Sequence, residues 1–192
     1  RLPFGGPDVA RAQDGSPEIG VWVAIGPDDT VNIRVVRSEM GQGTITGLAQ
    51  LVADELECNW SKVRIEYPTP GESVKRKRAW GDFSTGGSRG IRESHEYVRK
   101  GGAAARLMLV QAAANQWNVP VSECSTANSV ITHGPSKRKV SYGKVAEAAG
   151  RRMLLTGDAR GDHVLDGLVQ AGLKEDDKPF HVDLLKLPHH GS

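Results

Sequence analysis

Apolar side chains recur every second residue in Val21, Val23 and Ile25, and again in Val31, Ile33 and Val35, with Gly26-Pro27-Asp28-Asp29 between the two runs. A period of two puts alternate side chains on one face, so the segment predicts an antiparallel hairpin with one buried face. From Thr44 the pattern changes. Leu48, Leu51, Val52 and Leu56 fall at the three- and four-residue spacings of an amphipathic helix, which should stop near Cys58-Asn59. Val63, Ile65 and Tyr67 return to a period of two and predict a third strand, closed by Pro68 and Pro70.

A loop of roughly twenty residues is expected next, because no apolar period runs through it. The spacing then predicts a long helix over Ile91–Trp117 with Leu107, Val110, Ala114 and Trp117 on one face. Gly101 and Gly102 weaken that helix by about 1 kcal/mol each relative to alanine, and close packing against a neighbour would give a reason for them. Residues 128–142 read as a second hairpin around Gly134-Pro135-Ser136, followed by a short helix over Gly143–Ala149. Residues 1–17, rich in glycine, proline and aspartate, read as a flexible leader. Beyond Gly150 the style changes: Met153-Leu154-Leu155, a helix over Val164–Ala171 and a strand over Val182–Leu187 predict a unit at 151–192. The expected class is therefore α+β, antiparallel strands with two covering helices over 18–149, followed by a small β-α-β appendage.

Bulk properties narrow the function classes. At 192 residues the chain can hold one well-buried domain and a small addition, not two complete enzymes. A net charge of +2 does not mark a nucleic-acid binder, and the basic run Lys75–Arg78 reads as a solvated loop. Cys58 and Cys124 are far apart and outside any CxxC motif, so neither a zinc knuckle nor a disulfide framework is indicated. The most apolar stretch, Ala103–Ala114, is too short to cross a bilayer and no membrane span is expected. Without a secretory signal, localisation stays open between cytoplasm and periplasm.

Two glycine loops carry the candidate chemistry. Ser38-Glu39-Met40-Gly41-Gln42-Gly43 joins a strand to a helix, and Ser84-Thr85-Gly86-Gly87-Ser88-Arg89 precedes the other helix. Glycine lets backbone approach a ligand closely, and a helix N-terminus offers free N–H groups and a positive partial charge. The Gln42 amide can donate and accept at once, which suits a polar ring edge. These residues alone indicate a phosphate-bearing cofactor.

The runs "SEMGQGTITGLAQLVADELECNWSKVRIE", "STGGSRGIRESHEYVRKGGAAARLML" and "YGKVAEAA" go further. They resemble the molybdopterin-binding subunit of the xanthine dehydrogenase and aldehyde oxidase family, in its isoquinoline 1-oxidoreductase beta-subunit branch, over about two thirds of the chain. The resemblance implies a molybdenum-pterin cofactor, molybdopterin or its cytosine dinucleotide, that hydroxylates an aromatic or aldehyde carbon of a small-molecule substrate with oxygen from water. It implies that Gly41, Gln42 and Gly43 contact the pterin, and that Gly86, Gly87 and Ser88 lie along the pterin or its phosphates. An iron–sulfur partner subunit is implied as the electron outlet, since two isolated cysteines cannot hold a cluster. Whole subunits of the family are several times longer, and their basic glutamate lies in sequence that is not present here. No catalytic residue is therefore assigned, and Glu39 reads as a loop carboxylate away from the metal.

Thr156-Gly157-Asp158-Ala159 and the terminal Leu187-Pro188-His189-His190-Gly191-Ser192 are similar to the closing part of the metallo-β-lactamase fold. That similarity implies Asp158 and one of His189 or His190 as metal ligands, with zinc as the alternative cofactor. A catalytic zinc needs three protein ligands, and the HxHxDH cluster is missing. Three readings stand: part of a molybdenum hydroxylase that is inactive alone, a metal-dependent hydrolase, or a binding module without catalysis.

Overall fold

The computed structural model describes residues 12–150. Strands β1 (Glu18–Gly20), β2 (Val23–Ile25) and β3 (Val31–Arg34) form an antiparallel meander in which Val23 opposes Ile33 and Ile25 opposes Val31. Asp28 closes the β2–β3 turn, its carboxylate accepting from the Thr30 N–H at 3.0 Å and hydroxyl at 2.8 Å. The expected hairpin is present, but both of its faces are buried. Asn32 and Arg34, opposite the apolar face, are nearly as inaccessible as Val31 and Ile33.

Two coverings account for that second face. Residues 12–17, expected within the leader, make a turn whose Asp14 and Ser16 side chains accept from the Asn32 amide at 2.9 and 3.3 Å. Further along, Arg34 is paired with Glu18 and, at 3.3 Å, with Glu66. Residues 1–11 of the expected leader lie outside the described residues.

Helix α1 (Thr44–Leu56) buries Leu48, Ala49, Val52, Ala53 and Leu56 as the spacing requires. It ends on Glu57 in the left-handed conformation, with φ 53°. That backbone costs a non-glycine residue roughly 1 kcal/mol, and the Glu57 carboxylate is held by Arg106 and Thr126. Strand β4 (Val63–Glu66) then pairs parallel with β3, Val31 opposite Val63 and Ile33 opposite Ile65. The sheet is thus mixed rather than wholly antiparallel. A parallel neighbour requires a crossover, and α1 is that crossover.

The expected twenty-residue loop contains α2 (Pro70–Lys75), closed by a capping box in which Thr69 and Glu72 satisfy each other's backbone N–H groups with Pro70 at the first position. The basic run is only partly solvated. Arg76 makes a bidentate pair with Glu18 at 2.7 and 2.8 Å and lies over the Trp80 ring, whereas Lys75, Lys77 and Arg78 are exposed.

The expected long helix is two. A single turn, α3 (Arg89–Arg92), is followed by α4 (His95–Trp117), with the fully buried Ser94 between them. The buried face of α4 is Val98, Gly102, Ala105, Leu109, Val110, Ala113 and Ala114; Leu107, expected inside, is 51% exposed. The alanine-rich body leaves several faces nearly equivalent, and the two glycines choose among them. A Cβ on Gly102 would sit 2.5 Å from the Val52 carbonyl oxygen and one on Gly101 would sit 2.6 Å from the Trp22 ring. Both glycines therefore serve close approach.

A second sheet holds β5 (Cys124–Ala127), β6 (Val130–His133) and β7 (Lys139–Ser141), all antiparallel, followed by α5 (Tyr142–Gly150). Strand β5 extends the expected hairpin by one strand. Its two-residue turn, Asn128-Ser129, has φ of 48° and 62°, the paired positive values of a type I′ hairpin. Tyr142, fully buried, donates to the Leu56 carbonyl at 2.7 Å and so ties this sheet to the end of α1. The β-α-β appendage expected at 151–192 lies outside the described residues.

Cys58 is half-buried, and burial pushes its thiol up to about 11. Because the thiolate is the reactive form, Cys58 should react with a disulfide reagent at pH 8 more slowly than Cys124, whose thiol is also pushed up but which is less buried, and at an ordinary rate once unfolded. Equal labelling rates in the folded protein would contradict this packing.

Candidate functional site

Strand β3 ends at Arg34 and delivers the chain through Val35 and Val36 to Arg37, which is buried. The Arg37 guanidinium donates to Ser94 Oγ at 3.0 Å and to the Ser84 carbonyl, and lies 3.4 Å from Asp82. One buried cation thereby fastens the second glycine loop to the end of β3 and to the entrance of α4. The Ser84 backbone N–H and the guanidinium beside it hold the Asp82 carboxyl below the usual range.

The two loops meet. Ser38 N–H donates to Thr85 Oγ1 at 2.8 Å, and Gly90 of α3 lies against Thr44 of α1 so closely that a Cβ would be 2.8 Å from the Thr44 methyl. Gly41, Gln42, Gly43, Gly86, Gly87 and Ser88 are all exposed on this surface. Gly41 (φ 94°), Gly43 (φ 75°) and Gly87 (φ 66°) have left-handed backbone, and Ser88 joins them at 55°. Added Cβ atoms at Gly41, Gly43 and Gly86 would meet nothing within 4 Å, so open space stands over these positions. The second loop leads into the single turn of α3, not directly into the long helix as the sequence suggested.

Hydrogen bonding differs between the loops. In the first, the Glu39 carboxylate accepts from Gly41 N–H at 2.8 Å, Gly43 N–H at 2.9 Å and Ile45 N–H at 3.1 Å. Those N–H groups hold its carboxyl below the usual range, Ile45 and Gly43 first. In the second, the N–H groups of Gly86, Gly87 and Ser88 have no acceptor among the described residues, and Arg89 folds over the loop to Gly86 O at 3.0 Å and Ser84 Oγ at 2.5 Å. Open amides, a nearby cation and space for approach fit a polar, anionic ligand at Gly86–Ser88. The fit at Gly41 and Gly43 is to a ligand that does not need those two amides.

Arg37, which the sequence does not single out, shapes this surface together with Tyr67, Thr85 and Arg89, which the sequence offers only as strand and loop residues. Tyr67 reads in the sequence as the last apolar residue of the third strand, which ends at Glu66, and its hydroxyl accepts from Glu39 N–H at 3.2 Å. No local pattern announces such a contact. Among the described residues, no group of three or more His, Cys, Asp or Glu could hold a metal ion. His133, buried, is bound by Glu123 at 2.7 Å and Ser136 at 2.6 Å. The tail candidates Asp158, His189 and His190 lie outside the described residues. No helix among the described residues is long and apolar enough to cross a membrane.

The chain is a member of the molybdopterin cofactor-binding domain family, whose model matches residues 5–178. It is 35% identical over 138 residues to a membrane-bound aldehyde dehydrogenase (pyrroloquinoline-quinone) of Gluconacetobacter polyoxogenes, covering 72% of this chain. It is 36% identical over 126 residues to isoquinoline 1-oxidoreductase subunit beta of Brevundimonas diminuta, covering 65% of this chain. The chain spans only 17% and 16% of those two proteins. Reconstituted CO dehydrogenase from Oligotropha carboxidovorans shares the fold, with a TM-score of 0.50 and 22% identity over 66% of this chain and 15% of that one. The family match continues past Gly150 through Asp158, and nothing in these similarities supports the metallo-β-lactamase reading of the tail.

Proposed function

We propose that this chain is the part of a larger molybdenum hydroxylase that cradles the pterin, with Gly41, Gln42, Gly43, Gly86, Gly87 and Ser88 as the cofactor-contacting residues. The observation that carries the reading is the Ser38–Thr85 hydrogen bond, which puts two exposed glycine loops edge to edge within a domain of the molybdopterin-binding family. The cofactor, molybdopterin or its cytosine dinucleotide, supplies the redox chemistry for hydroxylating an aldehyde or N-heterocycle. The protein supplies binding and orientation. When the cofactor is bound, Gln42 would offer an amide to a ring edge, the Gly86–Ser88 amides and Arg89 would hold an anionic group, and open backbone at Gly41 and Gly43 would permit close approach.

Electron transfer to an iron–sulfur subunit and proton abstraction from substrate both fall to sequence beyond this segment, which spans about a sixth of its relatives. The isolated chain is therefore expected not to turn over aldehydes or N-heterocycles with an artificial electron acceptor. Rates above a no-protein control would overturn that part of the reading.

Ligand affinity tests the rest. Gln42→Ala removes one amide from an exposed loop, and Gly43→Val puts a β-branched residue at φ 75°. Each should weaken binding of a molybdopterin nucleotide by about tenfold, the equivalent of one or two lost hydrogen bonds, while leaving the thermal transition in place. If both variants bind as tightly as the parent, the ligand lies elsewhere.

A further inference from the structure

A helix N-terminus normally presents unsatisfied N–H groups and a positive partial charge to whatever anion is near. At α1 the chain supplies its own anion. Glu39 Oε1 accepts from Gly41 and Gly43, and Oε2 accepts from Ile45 in the first turn of the helix. The Gln42 side chain is bound on both sides as well: Oε1 accepts from Met40 N–H at 2.6 Å, and Nε2 donates to the Ser38 carbonyl at 2.9 Å. Together these bonds use half of the Gln42 amide's capacity, so one N–H and one lone pair remain. The loop is thus a closed ring of hydrogen bonds within Ser38–Ile45, anchored from outside by Thr85 on Ser38 and by Tyr67 on Glu39.

Two consequences follow from charge and geometry. A phosphate cannot use the amides of Gly41 and Gly43 without displacing a carboxylate that three N–H groups hold. The shape of the loop, and with it the direction of the Gln42 amide, is set before any ligand arrives, which lowers the ordering cost of binding. We propose that Glu39 is the positioning residue of this cofactor loop, fixing Gln42 for a neutral hydrogen-bonding ring edge and excluding phosphate from the start of α1. This rests on the cofactor reading above and adds to it which part of the ligand the first loop receives.

The full chain, labelled for amide NMR, provides the test through Glu39→Ala and Glu39→Gln. In the parent, the Gly43 and Ile45 amides should be protected from hydrogen exchange and should not shift on addition of inorganic phosphate. In Glu39→Ala their protection should fall by at least tenfold, phosphate should shift them, and affinity for unsubstituted pterin should fall by at least tenfold. Glu39→Gln, which keeps an acceptor oxygen of the same reach, should recover part of the protection and of the pterin affinity. It also stands in if the alanine variant does not fold. A phosphate response at these amides in the parent overturns the proposal, as does a Glu39→Ala variant with unchanged exchange and pterin affinity. If the parent binds no pterin, the cofactor reading fails, while the exchange and phosphate data still decide what Glu39 does.

Discussion

Gly102→Val is expected to lower the stability of the domain by about 3 kcal/mol, the upper range for forcing extra volume into a packed interior, and its melting temperature by roughly 10 °C. The reason lies at the α1–α4 contact. A Cβ at this position would stand 2.5 Å from the Val52 carbonyl oxygen and 3.2 Å from Val52 Cα, and both belong to the backbone of a helix that cannot move without breaking its own ladder. Gly101→Ala provides the contrast. Its Cβ would stand 2.6 Å from the Trp22 ring and 3.3 Å from Trp22 Cβ, so that side chain must shift, but no helix backbone is struck and alanine recovers about 1 kcal/mol of helix propensity. The second variant should therefore lose less stability than Gly102→Val. Urea or thermal unfolding separates the two, and a Gly102→Val protein that melts within about 2 °C of the parent would show that α4 does not pack on α1 in this register.

The second large effect is expected at Glu18. Its carboxylate, 5% exposed, receives Arg34 and both terminal nitrogens of Arg76, and the two guanidinium groups lie 5.4 and 4.7 Å from the centre of the Trp80 ring. Removing one member of a buried ionic group strands the others, at a cost of about 3 kcal/mol or more. Arg34, 3% exposed, would lose its partner Glu18 and still face Glu66 at 3.3 Å. Glu18→Ala should thus destabilise by about that amount, whereas Glu96→Ala, which breaks an exposed pair with Lys100, should change stability by less than about 1 kcal/mol. Because Arg76 follows α2 and Trp80 leads into the second glycine loop, Glu18→Ala should also weaken ligand binding at Gly86–Ser88. An alanine variant as stable as the parent would mean that the buried charges find other partners.

The sequence by itself determined the elements whose signal is local. The period of two in Val23–Ile25 and Val31–Ile33, the helical stripe from Leu48 to Leu56 and the glycine loops at 41–43 and 86–88 all specify backbone conformation within a few residues, and each is present. The strings "EMGQG" and "TGGS" likewise carried the resemblance to the family to which the chain belongs, because each is short and contiguous. Helix α2 was also written locally, in the capping box Thr69-Pro70-Gly71-Glu72, and was missed because its six residues carry no apolar period. Strand β5 was obscured in the same way by its polar sequence, Cys-Ser-Thr-Ala.

Tertiary structure decided what depends on partners remote in the chain. Whether β4 runs parallel or antiparallel to β3 is not encoded in either strand, since both have the same alternation; the path of α1 settles it. Asn32 and Arg34 read as the wet face of a hairpin until Asp14 and Trp80 arrive to cover them. The buried face of α4 could not be chosen within an alanine-rich run, where several stripes bury similar area, until Gly102 met Val52. The candidate site shows the same division. Glu39 lies next to the glycines in sequence, yet its part in holding them depends on φ values and hydrogen bonds that exist only once β3, α1 and the 84–88 loop are packed together.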